Sequence, residues 1–386
     1  MPVINRIADF HDDMTAWRRD LHAHPETAFE EKRTADIVAA KLQEFGIAVH
    51  RGLAKTGVVG TLSTGAGPSI GLRADLDALD VEELNDFAHK STYDGKMHAC
   101  GHDGHTTMLL GAAKYLAETR NFKGTVQFIF QPAEENEGGG RVMVEEGLFE
   151  KFPVEAVYGM HNMPGYELGA FCVMEGPLMA AFDIFELTIR GRGAHAAMPH
   201  TGIDPIPVAA EIISALQTIA SRSTNPLDSA VVTVTQVHAG QAWNVIPDEV
   251  ILRGTTRAFT PEVQDTLEPS IRRIVEGICQ AHNCQMEMMY ERRYPPVINE
   301  AVATKAATRA AADVTGMEKV ITNPKPTMGA EDFAFMLNEK PGCYVWLGNG
   351  PGEGGCMLHN PHYDFNDEIL TVGASYWARL VELELA

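Results

Sequence analysis

The sequence predicts an α/β protein whose main domain is interrupted by a smaller, ferredoxin-like α+β domain. Its 386 residues exceed what one ordinary hydrophobic core holds. Short apolar runs alternate with helical patterns in both end regions, whereas the middle alone shows the order β-α-β-β-α-β. We therefore expect a main domain formed by residues 1–178 and 294–386, and an inserted domain formed by residues 179–293.

The N-terminal third of the main domain contains three predicted helices. Apolar residues recur at near-helical spacing over 4–21, which indicates an amphipathic helix. A second helix is predicted over 34–45, where Gly46 provides a stop signal. A third is predicted over 106–119, directly after a segment rich in histidine.

The strands of the main sheet are predicted from short apolar runs, which are typical of strands covered on both faces. These runs comprise residues 57–62, 69–74, 125–131, 156–160 and 342–348. The inserted domain shows longer, partly alternating patterns. Its predicted elements are strand 183–190, helix 205–221, strands 229–237 and 249–258, helix 261–282 and strand 284–290.

Composition limits the classes of partner. The formal net charge is −21, from 31 basic and 52 acidic side chains. This balance argues against nucleic acid or an anionic membrane, because both are bound mainly through basic patches. The N-terminal segment lacks an apolar signal core, and no uncharged apolar run is long enough to span a bilayer. We expect a cytoplasmic protein that binds neither nucleic acid nor membrane, with cysteines that are reduced.

Side chains that bind metals are concentrated in five segments. These are MHACGHDGHT (97–106), QPAEENE (131–137), His161 in YGMHNMP, His359 and His362 in LHNPHYDFND (358–367), and RADLD (73–77). We expect each segment to follow a strand, as ligand-binding residues do in open α/β sheets. Thiolate, imidazole and carboxylate together suit Zn²⁺, Mn²⁺, Co²⁺ or Ni²⁺. Each motif alone has an ordinary structural explanation, but their conjunction indicates a metal centre.

The adjacent Glu134 and Glu135 indicate a hydrolytic mechanism. One carboxylate can bind a metal ion while the other takes a proton from a water that the ion has made acidic. An alternative hypothesis is a thiol hydrolase with Cys100 as nucleophile and His102 or His105 as base. That alternative leaves the glutamate pair and the remaining histidines without a role.

The motifs, in this order along the chain, resemble those of the M20 metallopeptidases. Within that clan they resemble hippurate hydrolases, N-acyl-amino-acid deacylases and plant auxin-conjugate hydrolases. The matching segments are RRDLHAHPE (18–26), GLRADLDAL (71–79), MHACGHDGHT (97–106), QPAEE (131–135), GMHNMP (159–164), GRGAHAAMPH (191–200), WNVIPDEV (243–250), MGAEDFAF (328–335) and LHNPHYDFND (358–367).

The resemblance implies a Zn-peptidase-like catalytic domain with an inserted lid and dimerisation domain. It also implies hydrolysis of the amide bond in N-acyl amino acids, whether hippurate-like, N-acetyl or indole-acetyl. Two divalent metal ions per subunit are implied, with Mn²⁺ or Zn²⁺ as the first candidates and Co²⁺ or Ni²⁺ as further ones. Their ligands by resemblance are Cys100, His102, Glu135, His161 and His359, with the Cys100 thiolate bridging.

Two further roles follow from the resemblance within the catalytic domain. Glu134 corresponds to the general base and acid. Asp75 occupies the aspartate of the clan's His-x-Asp motif, but Arg73 stands where that motif has its ligand histidine. This departure fits the cysteine-containing subfamily, and it makes Asp75 an orienting group rather than a ligand.

In the inserted domain, His195 resembles the lid histidine that stabilises the oxyanion, often in a partner subunit. Ala194 precedes it where glycine is commoner. Asn244 and Arg257 match positions that hold the polar end of the substrate, and an arginine fork suits a carboxylate. The resemblance further implies a homodimer or higher homo-oligomer formed through the lid domain.

Other activities are weighed against this one. A dipeptidase or carboxypeptidase of the same clan is the nearest alternative, and Cys100 and Arg73 disfavour it. A binding protein without catalysis is least favoured, because each expected ligand and the base are present. Benzoyl, acetyl, longer acyl and indole-acetyl groups all stay open as the acyl group.

Overall fold

The computed structural model describes residues 4–135, 137–351 and 356–386. The chain divides into two compact units. The first unit comprises Met1–Gly176, Ile298–Lys325 and Asp332–Ala386, and the second comprises Pro177–Val297 and Pro326–Glu331.

The described strands are, in chain order, β1 (Ala48–Leu53), β2 (Gly57–Ser63), β3 (Ser69–Asp75), β4 (Thr125–Gln131), β5 (Ala156–Met163), β6 (Phe171–Cys172), β7 (Gly176–Met179), β8 (Ala181–Arg190), β9 (Ala194–His195), β10 (Ala230–Ala239), β11 (Val245–Ile246), β12 (Glu249–Ala258), β13 (Gln285–Tyr294), β14 (Val297–Asn299), β15 (Val320–Ile321) and β16 (Gly342–Gly348). The described helices are α1 (Asn5–Ala8), α2 (His11–His22), α3 (Lys32–Glu44), α4 (His102–Thr119), α5 (Gly139–Glu145), α6 (Leu148–Lys151), α7 (Pro205–Thr218), α8 (Pro261–Ala281), α9 (Ala301–Thr315), α10 (Ala334–Glu339) and α11 (Leu370–Glu384).

The first unit is built on an eight-stranded sheet with the order β1-β2-β4-β3-β5-β16-β6-β15. Its central strands β4, β3, β5 and β16 are parallel to their neighbours in this block. The carboxyl ends of parallel strands lie at one edge of a sheet. That edge therefore receives Asp75 from the end of β3, the glutamate pair that follows β4, and the last residues of β5.

Helix α4 packs in the core of the first unit, and its side chains are buried along most of its length. It begins at His102, earlier than the predicted start at Thr106. The preceding residue, Gly101, has φ +94°, a left-handed conformation that glycine adopts without strain. The four residues from His102 to His105, which the sequence did not predict to be helical, therefore form the first turn of a buried helix.

The second unit contains a four-stranded antiparallel sheet with the order β10-β12-β8-β13. With α7 and α8 this is the ferredoxin-like β-α-β-β-α-β arrangement, and the predicted fold class is confirmed. Both helices start where the sequence places a cap and a proline. The Asp204 and Thr260 side chains accept backbone N–H groups of α7 and α8, and proline occupies the first position of each helix.

Segment 326–331 belongs to the second unit, although the sequence analysis assigned it to the main domain. Two backbone hydrogen bonds explain this, from Thr327 N–H to the Leu178 carbonyl and from Ala180 N–H to the Gly329 carbonyl. In the described parts of the chain, no helix has both the length and the apolar character needed to cross a membrane.

Candidate metal centre

Cys100 and His102 lie at the amino end of α4 rather than after a strand. The expectation that every ligand-bearing segment follows a strand is therefore wrong for these two residues. The reason is the turn at Gly101, which joins the Cys100 loop to the helix. His161 was expected just past a strand and instead lies within β5, which continues to Met163.

At this edge of the first unit, potential ligand atoms form groups of three, and within each group the atoms lie within 4.8 Å of one another. Three of these groups are Cys100 with His102 and His161, Cys100 with Glu135 and His359, and His102 with Glu134 and Glu135. Cys100, His102 and Glu135 each belong to two of these three groups, so the groups overlap.

The histidines at the centre are oriented by hydrogen bonds at Nδ1. His161 Nδ1 lies 2.6 Å from the carbonyl oxygen of Asn162, so it donates, and Nε2 faces Cys100 Sγ at 3.3 Å. His102 Nδ1 lies 3.3 Å from a carboxylate oxygen of Asp77. Its buried Nε2 has no hydrogen-bond partner among the described residues. Such outer contacts fix the tautomer that leaves Nε2 available to a metal ion.

The electrostatics of the centre favour a cation. Burial would lower the pKa of His102, but the carboxylates of Asp75, Asp77 and Glu135 outweigh it and raise that pKa to about 10. Burial raises the pKa of the Cys100 thiol well above its ordinary value, and nearby carboxylates raise it further. A site with these carboxylates binds a positive charge, whether a proton or a metal ion.

The thiol-hydrolase hypothesis is not supported by this geometry. A catalytic thiolate needs a lowered pKa and a basic partner, whereas the pKa of Cys100 is raised. The described imidazole within hydrogen-bond distance of its Sγ, at 3.3 Å, is that of His161 and not that of His102 or His105. Burial, with His105 nearby, lowers the pKa of His161 well below its ordinary value, so this imidazole is neutral, as a metal ligand must be.

Asp75 is held by two neighbours rather than presented openly. One oxygen lies 2.6 Å from His105 Nδ1, and the other accepts a hydrogen bond of 2.8 Å from Arg73. His105 Nε2 accepts the Asn162 N–H at 2.9 Å, so both of its nitrogens are used within the protein. Burial would raise the pKa of Asp75, but His102, His105 and Arg73 outweigh it and lower that pKa.

The turn after β4 carries the glutamate pair. The Glu135 N–H donates to Asp77 at 2.9 Å, so the same carboxylate contacts both His102 and this turn. The Asp332 N–H lies 3.4 Å from Glu134 Oε1. His359 has φ +65°, and its Nε2 lies 3.1 Å from Glu135 Oε1 without forming a hydrogen bond.

The second unit brings two of its predicted residues together. His195 on β9 pairs with Val245 on β11, and Asn244 immediately precedes that strand. The Asn244 carbonyl accepts the Ala196 N–H at 3.0 Å, and both His195 and Asn244 are exposed. This short two-stranded ribbon therefore presents an imidazole and an amide to solvent.

Arg257 lies apart from the ribbon, near the end of β12. Its guanidinium stacks on the Phe182 ring at 4.1 Å, and its Nε donates to the Met328 carbonyl at 3.2 Å. Burial lowers the pKa of Arg257, against the effect of Asp183. The side chain is half-buried and held on one face by these contacts.

Two residues that support the centre, Asp77 and Asn162, received no role from the sequence. Asp77 lies in the segment RADLD, two residues after Asp75 and four after Arg73. This regular spacing of two residues was the signal that could have identified it. Asn162 follows His161, and its side-chain oxygen accepts the Tyr363 hydroxyl at 2.6 Å. A polar residue next to a proposed ligand was the only signal available for Asn162.

Comparison with known proteins agrees with the geometry. Residues 71–383 match the sequence profile of Peptidase family M20/M25/M40. A hippurate hydrolase of Campylobacter jejuni is 42% identical, with 98% of each chain covered. An N-acetylcysteine deacetylase of Bacillus subtilis is also 42% identical, covering 97% of this chain and 98% of that one.

A solved structure from Bacillus subtilis, described as a dinuclear metal binding peptidase from the M20 family, has a TM-score of 0.86 and 38% identity. The match covers 98% of this chain and 99% of that chain. The resemblance inferred from the motifs is therefore confirmed, and the chain belongs to Peptidase family M20/M25/M40.

Proposed function

We propose that this chain is a metal-dependent amidohydrolase that cleaves the amide bond of N-acyl amino acids. The observation that carries the proposal is the convergence of thiol, imidazole and carboxylate groups around Cys100, in which Glu135 is half-buried, His359 is exposed and the other members are buried. It occurs in a chain 42% identical to proteins named hippurate hydrolase and N-acetylcysteine deacetylase. Both names describe enzymes that release an acyl group from an amino acid.

The donor set fits two divalent metal ions. His102 Nε2 and Glu135 Oε1 are buried without a hydrogen-bond partner in the described part of the chain. Leaving a buried polar atom without a hydrogen bond costs about 1–3 kcal/mol, which a bound cation offsets at His102 Nε2. Glu135 Oε1 already has His359 Nε2 as a neighbour at 3.1 Å. The proposed ligands are Cys100, His102, Glu135, His161 and His359, with Cys100 shared. A thiolate beside imidazoles and a carboxylate favours Zn²⁺ or Mn²⁺, with Co²⁺ and Ni²⁺ as further candidates.

Glu134 is the proposed general base. Bound metal ions supply Lewis-acid activation of water and of the substrate carbonyl. Glu134 takes the proton of the attacking water and then delivers it to the departing amine nitrogen. Its carboxylate lies in the same group of ligand atoms as His102 and Glu135, and the Asp332 N–H is directed at it.

Asp75 is proposed as an orienting residue. It is bound by Arg73 and His105 in the core, and its backbone carbonyl accepts the Thr106 hydroxyl at 2.9 Å. These contacts tie the end of β3 to the first turn of α4. We infer that Asp75 keeps His102 at the centre in its binding orientation.

The second unit, over about 179–293, is proposed as a lid and dimerisation domain. His195 would donate to the oxyanion that forms when the amide carbonyl is attacked. Asn244 and Arg257 would hold the carboxylate end of the substrate. Strand β10 is at the edge of its sheet, and an unpaired edge with exposed side chains such as Val237 favours pairing with a second copy. We propose a homodimer or higher homo-oligomer that is cytoplasmic.

A hydrolysis screen with controlled metal content tests this function. The protein is stripped with a chelator, reloaded with Mn²⁺ or Zn²⁺, and assayed on N-benzoyl-, N-acetyl- and indole-acetyl-amino acids beside dipeptides. We expect activity on N-acyl amino acids that disappears on stripping and returns on reloading. Full activity in the stripped protein would contradict metal catalysis, and hydrolysis of dipeptides alone would favour the dipeptidase alternative.

A further inference from the structure

A buried carboxylate outside the proposed ligand set contacts the turn that carries Glu134. Glu31 is 0% exposed and ends the segment HPETAFEE (24–31), which has no role in the proposed function. One of its oxygens accepts the Ala133 N–H at 2.9 Å and the Phe29 N–H at 3.0 Å. The other accepts the Thr56 hydroxyl at 2.6 Å. Three separate segments of the chain therefore meet at one side chain.

The backbone at these contacts is in a conformation that side chains disfavour. Ala133 has φ +54° and Phe29 has φ +62°, and Lys55, immediately before Thr56, has φ +68°. A left-handed conformation brings Cβ close to the following carbonyl oxygen, so it persists only where the surroundings enforce it. At Ala133 the bond to Glu31 is one such constraint, together with the Gly139 N–H that donates to the Ala133 carbonyl at 2.8 Å.

Carboxylates accept backbone N–H groups on both sides of Glu134, although Glu31 binds the Pro132–Ala133 peptide and not the peptide next to Glu134. Glu31 accepts the N–H of the residue before it, and Asp77 accepts the N–H of the residue after it. The direction of a side chain follows from the φ and ψ of its own residue and from the planes of the flanking peptides. Glu31 on the Ala133 N–H and Gly139 on the Ala133 carbonyl together restrain φ and ψ of Ala133, and Asp77 holds the peptide after Glu134. These bonds therefore fix the direction in which the Glu134 side chain leaves the backbone.

We propose that Glu31 is a positioning residue, which sets the orientation of the general base Glu134 through the strained Ala133. This inference rests on the proposed function. The hydrogen bonds described for Glu31 lead to backbone and hydroxyl groups, and none leads to a proposed metal ligand. What matters in our proposal is therefore that its two oxygens are close enough to accept these bonds. Burial raises the pKa of the Glu31 carboxyl to about 7; the hydrogen bond from Thr56 opposes this rise, and the nearby Asp77 carboxylate adds to it. A raised pKa agrees with a role as hydrogen-bond acceptor, which does not require a full negative charge.

Two substitutions distinguish the effect of the length of the Glu31 side chain from the effect of its negative charge. Glu31→Gln keeps the length and leaves one oxygen for the N–H groups of Ala133 and Phe29, while its amide can donate to Thr56. Glu31→Asp keeps the charge and withdraws the oxygens by one methylene. Glu26→Asp is the matched control, because the Glu26 carboxylate in the same segment accepts the N–H groups of Arg33 and Thr34 rather than one from the turn.

The Mn²⁺-loaded variants are compared in kcat, KM, metal content and amide hydrogen exchange of residues 129–135. In Glu31→Asp we expect kcat to fall about 10- to 100-fold with KM little changed, since displacing a catalytic group by about 1 Å has that effect. Faster exchange of the Ala133 amide should accompany the loss, and both metal ions should stay bound. Glu31→Gln should keep kcat within about threefold, because its hydrogen bonds survive.

The inference is overturned if Glu31→Gln loses as much kcat as Glu31→Asp, since charge would then be the cause. It is equally overturned if Glu31→Asp matches Glu26→Asp in both kcat and exchange. An unmodified protein that hydrolyses no N-acyl amino acid would instead contradict the proposed function. In that case the exchange of the Ala133 amide still decides whether Glu31 holds the turn.

Discussion

The proposed metal centre and the His195 ribbon differ in how their polar side chains are held. At the centre, Cys100, His102 and His161 are buried, and the two imidazoles have hydrogen-bond partners that fix their orientation, whereas the fifth proposed ligand, His359, is exposed. On the ribbon, whose two strands have two residues each, His195 on β9 and Asn244 just before β11 are exposed, and the neighbouring Trp243 is 103% exposed.

This difference reflects two kinds of chemistry. Metal ligands must stand within tenths of an ångström before the ion binds, so the fold fixes them with packing and outer hydrogen bonds. A donor to an oxyanion or to a substrate carboxylate acquires its partner only in the complex. We therefore expect substitutions at the centre to change metal content or stability, and substitutions on the ribbon to change turnover alone.

The largest effect is expected at Glu134, which belongs to the centre but binds no metal in our proposal. Glu134→Gln should retain both metal ions and lower kcat by about 10²- to 10⁴-fold, because a general base is lost. Metal analysis and steady-state kinetics measure the two properties separately. Glu137→Gln, at an exposed residue of the same turn, is the control that should remain active. Near-normal kcat in Glu134→Gln would remove it from the role of base.

His195→Ala tests the ribbon. We expect kcat to fall by about 10²- to 10³-fold through loss of an oxyanion donor, with metal content and unfolding temperature unchanged. His200→Ala, another exposed histidine of the second unit, is the control. Unchanged kcat in His195→Ala would contradict the oxyanion role.

Mixing His195→Ala with Glu134→Gln examines whether the ribbon serves a partner subunit. A mixed dimer would contain one active site with an intact Glu134 and the partner's intact His195. Some activity should then return after subunit exchange. If verified exchange restores nothing, the histidine acts in its own chain.

Cys100→Ser should weaken metal binding by more than about tenfold, because a thiolate is replaced by a poor ligand, and even outer contacts are worth about that much. Titration of the stripped protein with Zn²⁺ measures the affinity. Cys343→Ser is the matched control, since Cys343 is a fully buried cysteine in β16. Full metal occupancy with lost activity would favour the nucleophile hypothesis.

The smallest effect concerns the stability of the first turn of α4. His22 is buried between Asp103 at 2.8 Å and Glu83 at 3.2 Å. Burial would lower its pKa, but these carboxylates raise it above the ordinary value of 6.5. A raised folded-state pKa contributes stability that is fully present below about pH 6.5 and is lost as pH rises through the folded-state pKa.

Chemical unfolding of the stripped protein, wild type against His22→Gln, checks this expectation. The difference in unfolding free energy should be larger at about pH 6 than at about pH 9. His195→Gln, the same substitution at an exposed site, is the control. A difference between wild type and His22→Gln that is constant with pH would show that His22 stabilises the turn by packing alone.

The strands were predicted better than the first turn of α4. Residues 125–131, 249–258 and 342–348 form strands over the predicted ranges, because compact apolar runs and alternation record burial directly. The sequence HDGH has no such pattern, and the helix start was predicted too late. Its helical conformation is stabilised by distant partners, namely Arg18 and His22 on Asp103 and Asp75 on His105.

By itself, the sequence determined the fold class, the family and the set of residue types that can bind metal, because all three are recorded in local order and spacing. The tertiary structure decided which of these residues have a side-chain atom free to bind a metal ion. His102 and His105 lie one helical turn apart in the same motif, yet both nitrogens of His105 are bonded within the protein, whereas His102 keeps Nε2 open. Glu31 was invisible for the same reason: a hydrogen bond between residues 31 and 133 has no local pattern, since it exists only once the chain has folded.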